Sequence, residues 1–195
     1  MPAQLLDARL AHIFNKQQDV LATSSFGTTS AVLLHAINRV KPGHPVYFVD
    51  TKYHFRETLE YKDRLTRLLS LNVIDITPDS TRHASTQKNK TWQTNPDLCC
   101  HINKVEPLRP IKEKHTVWLS GLMGFQNRHR SNLEFIEERD GLYKYYPVID
   151  WTLSLVNDYF EQYGLPRHPL EKQGYHSIGC THCTRKGDCR SGRWQ

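Results

Sequence analysis

The sequence predicts an α/β fold in which a twisted, mostly parallel sheet is flanked by helices. Three short apolar segments, at 20–23, 46–49 and 73–76, have the length and composition of buried strands. A stretch with apolar residues at helical spacing follows each of the first two segments. Strands that alternate with helices in this way form twisted parallel sheets through right-handed crossovers.

The elements of the first half follow one another in regular order. An amphipathic helix is predicted over 5–14, before the first strand. A turn at 26–30 leads into a helix over 31–37, and that helical region ends before Pro42. Another amphipathic helix, at 58–69, separates the second strand from the third.

The second half of the chain is less regular. We predict a helix over 99–104, a strand over 117–120, and a helix over 153–163 that stops at Gly164. Residues 78–95 are polar and basic, which predicts a long loop or lid that is either functional or simply solvated. The C-terminal end is predicted to be irregular.

Length and composition fit a single domain over residues 1–195, because a hydrophobic share of 38% is enough for a core. No apolar run approaches the ~20 residues that span a bilayer, so no membrane partner is expected. The N-terminus is charged and lacks the apolar segment of a signal peptide. We therefore expect a cytoplasmic protein with reduced thiols.

Charge favours an anionic ligand. The chain has 26 Lys and Arg residues against 20 Asp and Glu residues, a net charge of +6. Nucleic acid is disfavoured as a partner, because no basic run is long and the aromatic residues are not interleaved with basic ones. A small phosphorylated ligand is the better interpretation.

Four cysteines occur in two close pairs that lie far apart in the sequence. Cys99 and Cys100 are adjacent, whereas Cys180 and Cys183 have the Cys-x-x-Cys spacing of a metal or redox loop. Thiolates are soft ligands that suit zinc or an iron–sulfur centre. The pattern predicts that a metal joins two distant parts of the fold.

A turn rich in Ser, Thr and Gly connects the first strand to the next helix. Glycine lets a phosphate approach the backbone, and the helix N-terminus offers free N–H groups. A plain helix cap has a similar composition, and the Lys of a Walker loop is missing. The candidate phosphate-binding residues are Ser25, Phe26, Gly27, Thr28 and Thr29.

Asp50 and Thr51 close the second strand, where ligands bind in open α/β sheets. Asp50 could bind a ribose hydroxyl or cap the next element, and the local sequence leaves both roles open. We keep both residues as candidate substrate contacts.

Eight stretches, in the same order along nearly the whole chain, resemble the assimilatory sulfonucleotide reductases. They are SSFGTTSAVLLH, VYFVDT, CCHINKVEPL, WLSGL, YPVIDWT, GLPRHPL, GYHSIGCTHCTR and RSGRW. The resemblance implies an adenine-nucleotide α-hydrolase-like (PP-loop) fold. It also implies reduction of adenosine 5′-phosphosulfate (APS) to sulfite and AMP in sulfate assimilation, with thioredoxin or a glutaredoxin-type protein as the thiol donor.

In the cluster-bearing branch of this family, the two cysteine pairs hold a [4Fe-4S] cluster. The resemblance therefore implies Cys99, Cys100, Cys180 and Cys183 as cluster ligands. Adjacent cysteines are unusual for zinc, whose paired ligands are typically separated by two to four residues. The cluster accompanies APS more often than the 3′-phosphorylated nucleotide (PAPS), so APS is the expected substrate and PAPS the alternative.

The resemblance also implies substrate contacts for four basic residues. Lys104 follows the adjacent cysteines and would lie between cluster and substrate. Arg130 matches an arginine that contacts the substrate, and Arg190 and Arg193 match a pair near the phosphosulfate. Guanidinium groups bind phosphate and sulfate through two parallel hydrogen bonds, which agrees with these roles.

The chain departs from the family pattern at three places. The family's attacking cysteine lies in a Glu-Cys-Gly-Leu/Ile-His motif, and this sequence ends at Gln195 without that motif. Three explanations stay open: a tail outside this sequence, Cys189 as a substitute thiol, or a relative that binds the nucleotide without reducing it. Met123 and Gly124 stand where the family often has two basic residues, and Lys52 stands where it commonly has glycine.

Functions from other classes also stay open. An ATP-dependent adenylating or nucleic-acid thiolation enzyme of the same fold uses an Asp in its Ser-Gly-Gly-x-Asp-Ser loop to hold Mg²⁺, and Thr29 occupies that position. A non-catalytic nucleotide or redox sensor would need no attacking thiol. A homo-oligomer is compatible with the sequence.

Overall fold

A computed structural model of the protein describes residues 2–139, 141–187 and 191. The strands are β1 (Val20–Thr23), β2 (Pro45–Val49), β3 (Asn72–Ile76), β4 (Val117–Leu119), β5 (Ile136–Arg139) and β6 (Leu142–Tyr145). They form one six-stranded sheet in the order β3-β2-β1-β4-β6-β5. Neighbouring strands are parallel except β5 and β6, which form an antiparallel hairpin. The predicted α/β class with a mostly parallel sheet is confirmed.

Helices connect the parallel strands. The α-helices are α1 (Pro2–Lys16), α2 (Ser30–Val40), α3 (Arg56–Leu68), α4 (Ser80–Lys88), α5 (Thr91–Thr94), α6 (Pro96–Cys100), α7 (Glu106–Lys112), α8 (Arg128–Ser131) and α9 (Leu153–Gln162). A π-helical turn, His101–Val105, joins α6 to α7, and short 3₁₀ turns lie at Gly124–Gln126, Glu171–Gln173 and Thr181–Cys183. None of the helices in the described part of the chain is both long and apolar enough to cross a bilayer.

The core forms where α1, α2 and α9 pack on the sheet. Leu6 and Leu10 of α1, Val32 of α2 and Val156 of α9 are fully buried in the same apolar cluster as Val46 of β2. Parallel strands are apolar on both faces because the crossover helices cover them. The strands and helices predicted for the first half are therefore present, with ends that differ by a few residues.

The prediction of a loop or lid over 78–95 is wrong, because α4 and α5 lie in this segment. Asp79 caps α4 by accepting a hydrogen bond from the Arg82 N–H (2.9 Å). Thr86 is 1% exposed and shares a hydrogen bond with the Tyr53 hydroxyl (2.8 Å). Helix α4 thus buries a hydrogen-bonded threonine and no apolar side chain. The sequence predicts a loop because the segment has almost no apolar residues.

The hairpin of β5 and β6 is also absent from the sequence prediction. Its outer strand, Ile136–Arg139, consists of one apolar and three charged residues and lies mostly exposed at the edge of the sheet. Edge strands need little apolar character, so their alternation is weak. Residues 136–139 form a strand because they pair with β6, and their own sequence gives no sign of that pairing.

Candidate functional site

The carboxyl ends of β1, β2, β4 and β6 open onto one cleft with a volume of about 440 Å³. The strand order reverses between β1 and β4, so the cleft lies at the topological switch point, where open α/β sheets bind ligands. Its lining includes seven of the candidate substrate contacts from the sequence, which are Ser25, Gly27, Thr28, Thr29, Thr51, Lys104 and Arg130.

The loop after β1 is anchored by Phe26 and left open by Gly27. Phe26 has a left-handed backbone (φ 48°), and its fully buried ring packs edge-on against Phe48, with centroids 5.6 Å apart. Its side chain therefore supports the loop from the core side, and it does not line the cleft. A Cβ at Gly27 would lie 3.7 Å from Ser25 Oγ, among the cleft-lining groups, so glycine leaves that space to a ligand.

Two side chains of this loop connect it to other walls of the cleft. Thr28 Oγ1 donates a hydrogen bond to the His176 carbonyl (2.9 Å). Thr29 Oγ1 accepts one from Gln126 Nε2 (3.4 Å), and Gln126 Oε1 accepts one from Arg130. Thr29 is therefore linked to the Arg130 guanidinium through Gln126. As a threonine, it has no carboxylate with which to bind a metal ion.

The cleft is cationic. Lys104, Arg130 and Lys144 line it, and no Asp or Glu does so among the residues that the structure describes. Lys144 Nζ lies 5.2 Å from the centroid of the Trp118 ring, which also lines the cleft. Neither Lys144 nor Trp118 is among the candidates from the sequence, although Trp118 begins the WLSGL stretch and Lys144 lies just before YPVIDWT.

Asp50 lies beside the cleft without lining it. Lys52 has a left-handed backbone (φ 61°), which turns its ammonium group back to Asp50 Oδ2 at 2.7 Å. Burial alone would raise the pKa of Asp50, but the hydrogen bonds and charge of Lys52 outweigh it and hold that pKa below its ordinary value. Lys52, at the family's glycine position, is thus the ion-pair partner of Asp50.

All four paired cysteines line a second, smaller cavity, which we call the thiol cavity: Cys99, Cys100, Cys180 and Cys183. They are free thiols, with Cys99 buried and the others partly exposed. The thiol cavity and the cleft share a wall, because five residues line both, namely Thr51, Cys100, Lys104, Cys180 and Cys183. The structure therefore brings the distant cysteine pairs together beside the cleft.

The thiols border this cavity without converging on one point. Within the described ranges, no three Cys, His, Asp or Glu side chains lie close enough together to hold a single metal ion. Burial, with an added contribution from the nearby thiols of Cys180 and Cys183, raises the pKa of Cys99. The same causes raise the pKa of Cys100 to about 11, against the opposing charge of Lys104.

An aromatic wall, formed by Tyr53, Trp92 and His182, closes one side of the thiol cavity. Trp92 stacks on His182, and the Tyr53 ring meets both of them edge-on at 5.3 and 5.1 Å. Trp92 belongs to α5, and His182 lies between Cys180 and Cys183. Sequence reasoning misses this wall, because its three members come from three distant segments.

The remaining positions from the sequence analysis fall into two groups. Met123 is 1% exposed, and a Cβ at Gly124 would lie 3.0 Å from the Ile149 carbonyl, which accepts the Gly124 N–H (2.8 Å). A side chain larger than hydrogen at position 124 would therefore require the Ile149 carbonyl to move by a few tenths of an ångström. Cys189, Arg190 and Arg193 lie outside the described residues.

Comparisons with known proteins agree with this arrangement. The profile of the phosphoadenosine phosphosulfate reductase domain matches residues 19–186. An adenosine 5′-phosphosulfate reductase of Bacillus cereus (strain Q1) is 40% identical over 187 residues, which cover 91% of this chain and 80% of the relative. Another from Bacillus mycoides (strain KBAB4) is 38% identical over 195 residues, covering 95% of this chain and 83% of the relative.

Solved structures place the fold in the same group. The phosphoadenylyl-sulfate reductase of Candida auris, in a phosphate complex, has a TM-score of 0.80 and 25% identity, covering 95% of this chain and 90% of that chain. The FMN adenylyltransferase of Candida glabrata, with FAD and pyrophosphate, has a TM-score of 0.65 at 15% identity, covering 96% and 65%, a likeness of fold alone. With the profile match over most of its length, this chain belongs to the phosphoadenosine phosphosulfate reductase domain family.

Proposed function

We propose that the protein is an adenylyl-sulfate reductase, which converts APS to sulfite and AMP in sulfate assimilation. The observation that carries the proposal is the shared wall between a cationic cleft and the thiol cavity. A cleft whose described lining contains Lys and Arg and no carboxylate suits a phosphosulfate dianion. It suits Mg²⁺-ATP poorly, because Mg²⁺ is held in proteins through carboxylates. The names of the Bacillus relatives support the same reaction.

The thiol cavity fits a [4Fe-4S] cluster by the chemistry of its donors. Such a cluster is held by four cysteine thiolates, and four free thiols border this cavity. The four thiols surround the cavity without converging on one point, which suits a cluster better than a single metal ion. The ligands would be Cys99, Cys100, Cys180 and Cys183. A bound cluster would hold the two cysteine segments together beside the cleft.

Different residues of the chain would bind different parts of APS. The loop with Gly27 takes a phosphate through backbone N–H groups near the start of α2. Lys104 lines both cavities and would therefore face the sulfate end of bound APS, while Arg130 hydrogen-bonds to Gln126. Arg190 and Arg193 add two guanidinium groups near the phosphosulfate, as the family resemblance implies.

The reaction proceeds by thiol chemistry. A thiolate attacks the sulfur of APS, forming an S–S bond and breaking the S–O bond to phosphate, so that AMP leaves with the electron pair. A second thiol, from thioredoxin or a glutaredoxin-type protein in the cytoplasm, then attacks the modified cysteine. Sulfite leaves and a disulfide forms. The first thiol must be a fifth one, since the proposal engages the other four as ligands.

Turnover tests this proposal. Anaerobically purified protein is mixed with reduced thioredoxin and, in separate reactions, with APS, PAPS or Mg²⁺-ATP. We expect AMP and sulfite in equal amounts from APS, at a higher kcat/KM than PAPS gives. Greater efficiency with PAPS would make the protein a PAPS reductase. Pyrophosphate release from ATP would support an adenylating enzyme, and tight APS binding without AMP or sulfite would support a sensor.

A further inference from the structure

Asn103 lines the thiol cavity beside Cys99. Its side chain is 2% exposed, on the π-helical turn that follows the adjacent cysteines. Its amide nitrogen Nδ2 lies 2.9 Å from the Cys99 carbonyl oxygen and 3.6 Å from Cys99 Sγ. Irregular π-helical turns inside helices frequently mark functional sites, and this one aims an amide donor at a thiol sulfur.

The donors and acceptors around the Asn103 amide determine which end of it faces Cys99. Thr86 Oγ1 must donate its one proton to the His83 carbonyl (2.7 Å), because a carbonyl only accepts. Thr86 Oγ1 therefore accepts one Asn103 Nδ2 proton (3.2 Å) and the Tyr53 hydroxyl proton (2.8 Å). The Cys99 carbonyl oxygen and Cys99 Sγ share the other Nδ2 proton. Asn103 Oδ1 then takes the hydrogen bond from His83 Nδ1 (2.7 Å). The amide cannot flip without losing partners on both sides.

Tyr53 connects this network to the other cysteine pair. Its backbone N–H donates to Thr51 Oγ1 (3.3 Å), and its carbonyl accepts the Thr181 N–H (2.8 Å). Thr51 Oγ1 lies 3.3 Å from Cys180 Sγ. A continuous set of hydrogen bonds thus runs from Cys99 through Asn103, Thr86 and Tyr53 to the Cys180 segment.

We infer that Asn103 is a positioning residue, which orients Cys99 and donates a hydrogen bond to its sulfur when that sulfur ligates a cluster. The inference rests on the cluster of the proposed function. Hydrogen bonds to ligand sulfurs stabilise the more negative, reduced form of a cluster and raise its potential. Partners behind the ligands also determine how firmly a metal is held.

The test compares iron-loaded proteins by two measurements that need no substrate. Asn103→Leu removes the amide donor at similar volume. We expect its midpoint potential to become more negative than that of the wild type, and iron loss to a chelator to be about tenfold faster. Thr86→Val, which removes the acceptor that orients Asn103, shifts both values in the same direction by a smaller amount.

The control is Asn38→Leu. Asn38 Nδ2 donates to the Leu69 carbonyl (2.8 Å), outside the thiol cavity, so this variant loses a structural hydrogen bond and keeps the wild-type potential. Wild-type values in folded Asn103→Leu would overturn the inference. If that variant does not fold, wild-type values in Thr86→Val would overturn it. A wild-type protein without iron and sulfide would instead overturn the cluster proposal itself.

Discussion

Trp92 stacks face to face on His182, with ring centroids 4.0 Å apart and planes 6° apart. The pair seals the thiol cavity on the side where α5 meets the Cys-x-x-Cys turn. Trp92→Ala should lower the free energy of unfolding by about 2 kcal/mol, since a half-buried tryptophan and an aromatic pair are lost. It should also speed iron loss to a chelator. Urea denaturation and chelator kinetics measure the two effects.

Trp92→Phe is the matched variant for this prediction. Phenylalanine keeps a ring against His182, so both effects should fall to less than half of those in Trp92→Ala. Equal iron loss in the alanine variant and the wild type would show that the aromatic wall does not protect the cavity.

Gly27→Ala should separate binding from stability. The added Cβ meets protein atoms only at ordinary distances, the nearest being Ser25 Oγ at 3.7 Å, so stability should stay unchanged or rise by up to about 1 kcal/mol. The methyl group enters the space that a phosphate would take, and we expect APS affinity to fall at least about tenfold. Thermal unfolding and calorimetric titration measure the two. Unchanged affinity would exclude the loop as the phosphate site.

Arg130→Ala should weaken APS binding by about 10- to 100-fold, the size of one or two hydrogen bonds to a charged group. Arg128 supplies the control, because it lies two residues away, is exposed and does not line the cleft. Titration of both variants with APS at constant salt measures the difference. Equal losses in the two variants would mean that only net charge matters.

His168 should make folding depend on pH. It is fully buried, its Nδ1 accepts the Leu170 N–H (3.2 Å), and burial lowers its pKa from 6.5 to about 4. Between these values the unfolded chain binds a proton that the folded protein does not, so stability falls as pH falls from 6.5 to 4. The loss from this residue is at most about 3 kcal/mol.

His168→Asn isolates that contribution. Asparagine can accept the same N–H and does not titrate, so the stability difference between wild type and variant should shrink as pH falls through this window. Urea denaturation at several pH values measures it. A difference that stays constant from pH 7 to pH 4 would contradict the assignment.

Sequence reasoning reaches the parts of this molecule that depend on local pattern. The three buried strands, the loop with Gly27 and the two cysteine pairs are all visible as motifs. It also anticipates that the cysteine pairs come together, because soft thiol ligands suggest a shared metal.

Features that depend on contacts between distant segments could not be predicted from the sequence. Lys144 lines the cleft because β6 pairs with β4, and Trp92 lines the thiol cavity because α5 packs near the Cys-x-x-Cys turn. Helix α4 buries Thr86, which is held by hydrogen bonds. Because this buried residue is polar, the helix lacks the apolar periodicity by which helices are predicted. In each case the signal lies in the partner segment.

Equilibrium titration of the iron-loaded protein with APS, PAPS and Mg²⁺-ATP tests the proposed substrate most directly, because binding needs no attacking thiol. We expect one APS site per chain, with affinity greater than for PAPS and far greater than for ATP, and a marked loss of affinity in Gly27→Ala. Tight Mg²⁺-ATP binding with no measurable binding of APS would contradict this expectation.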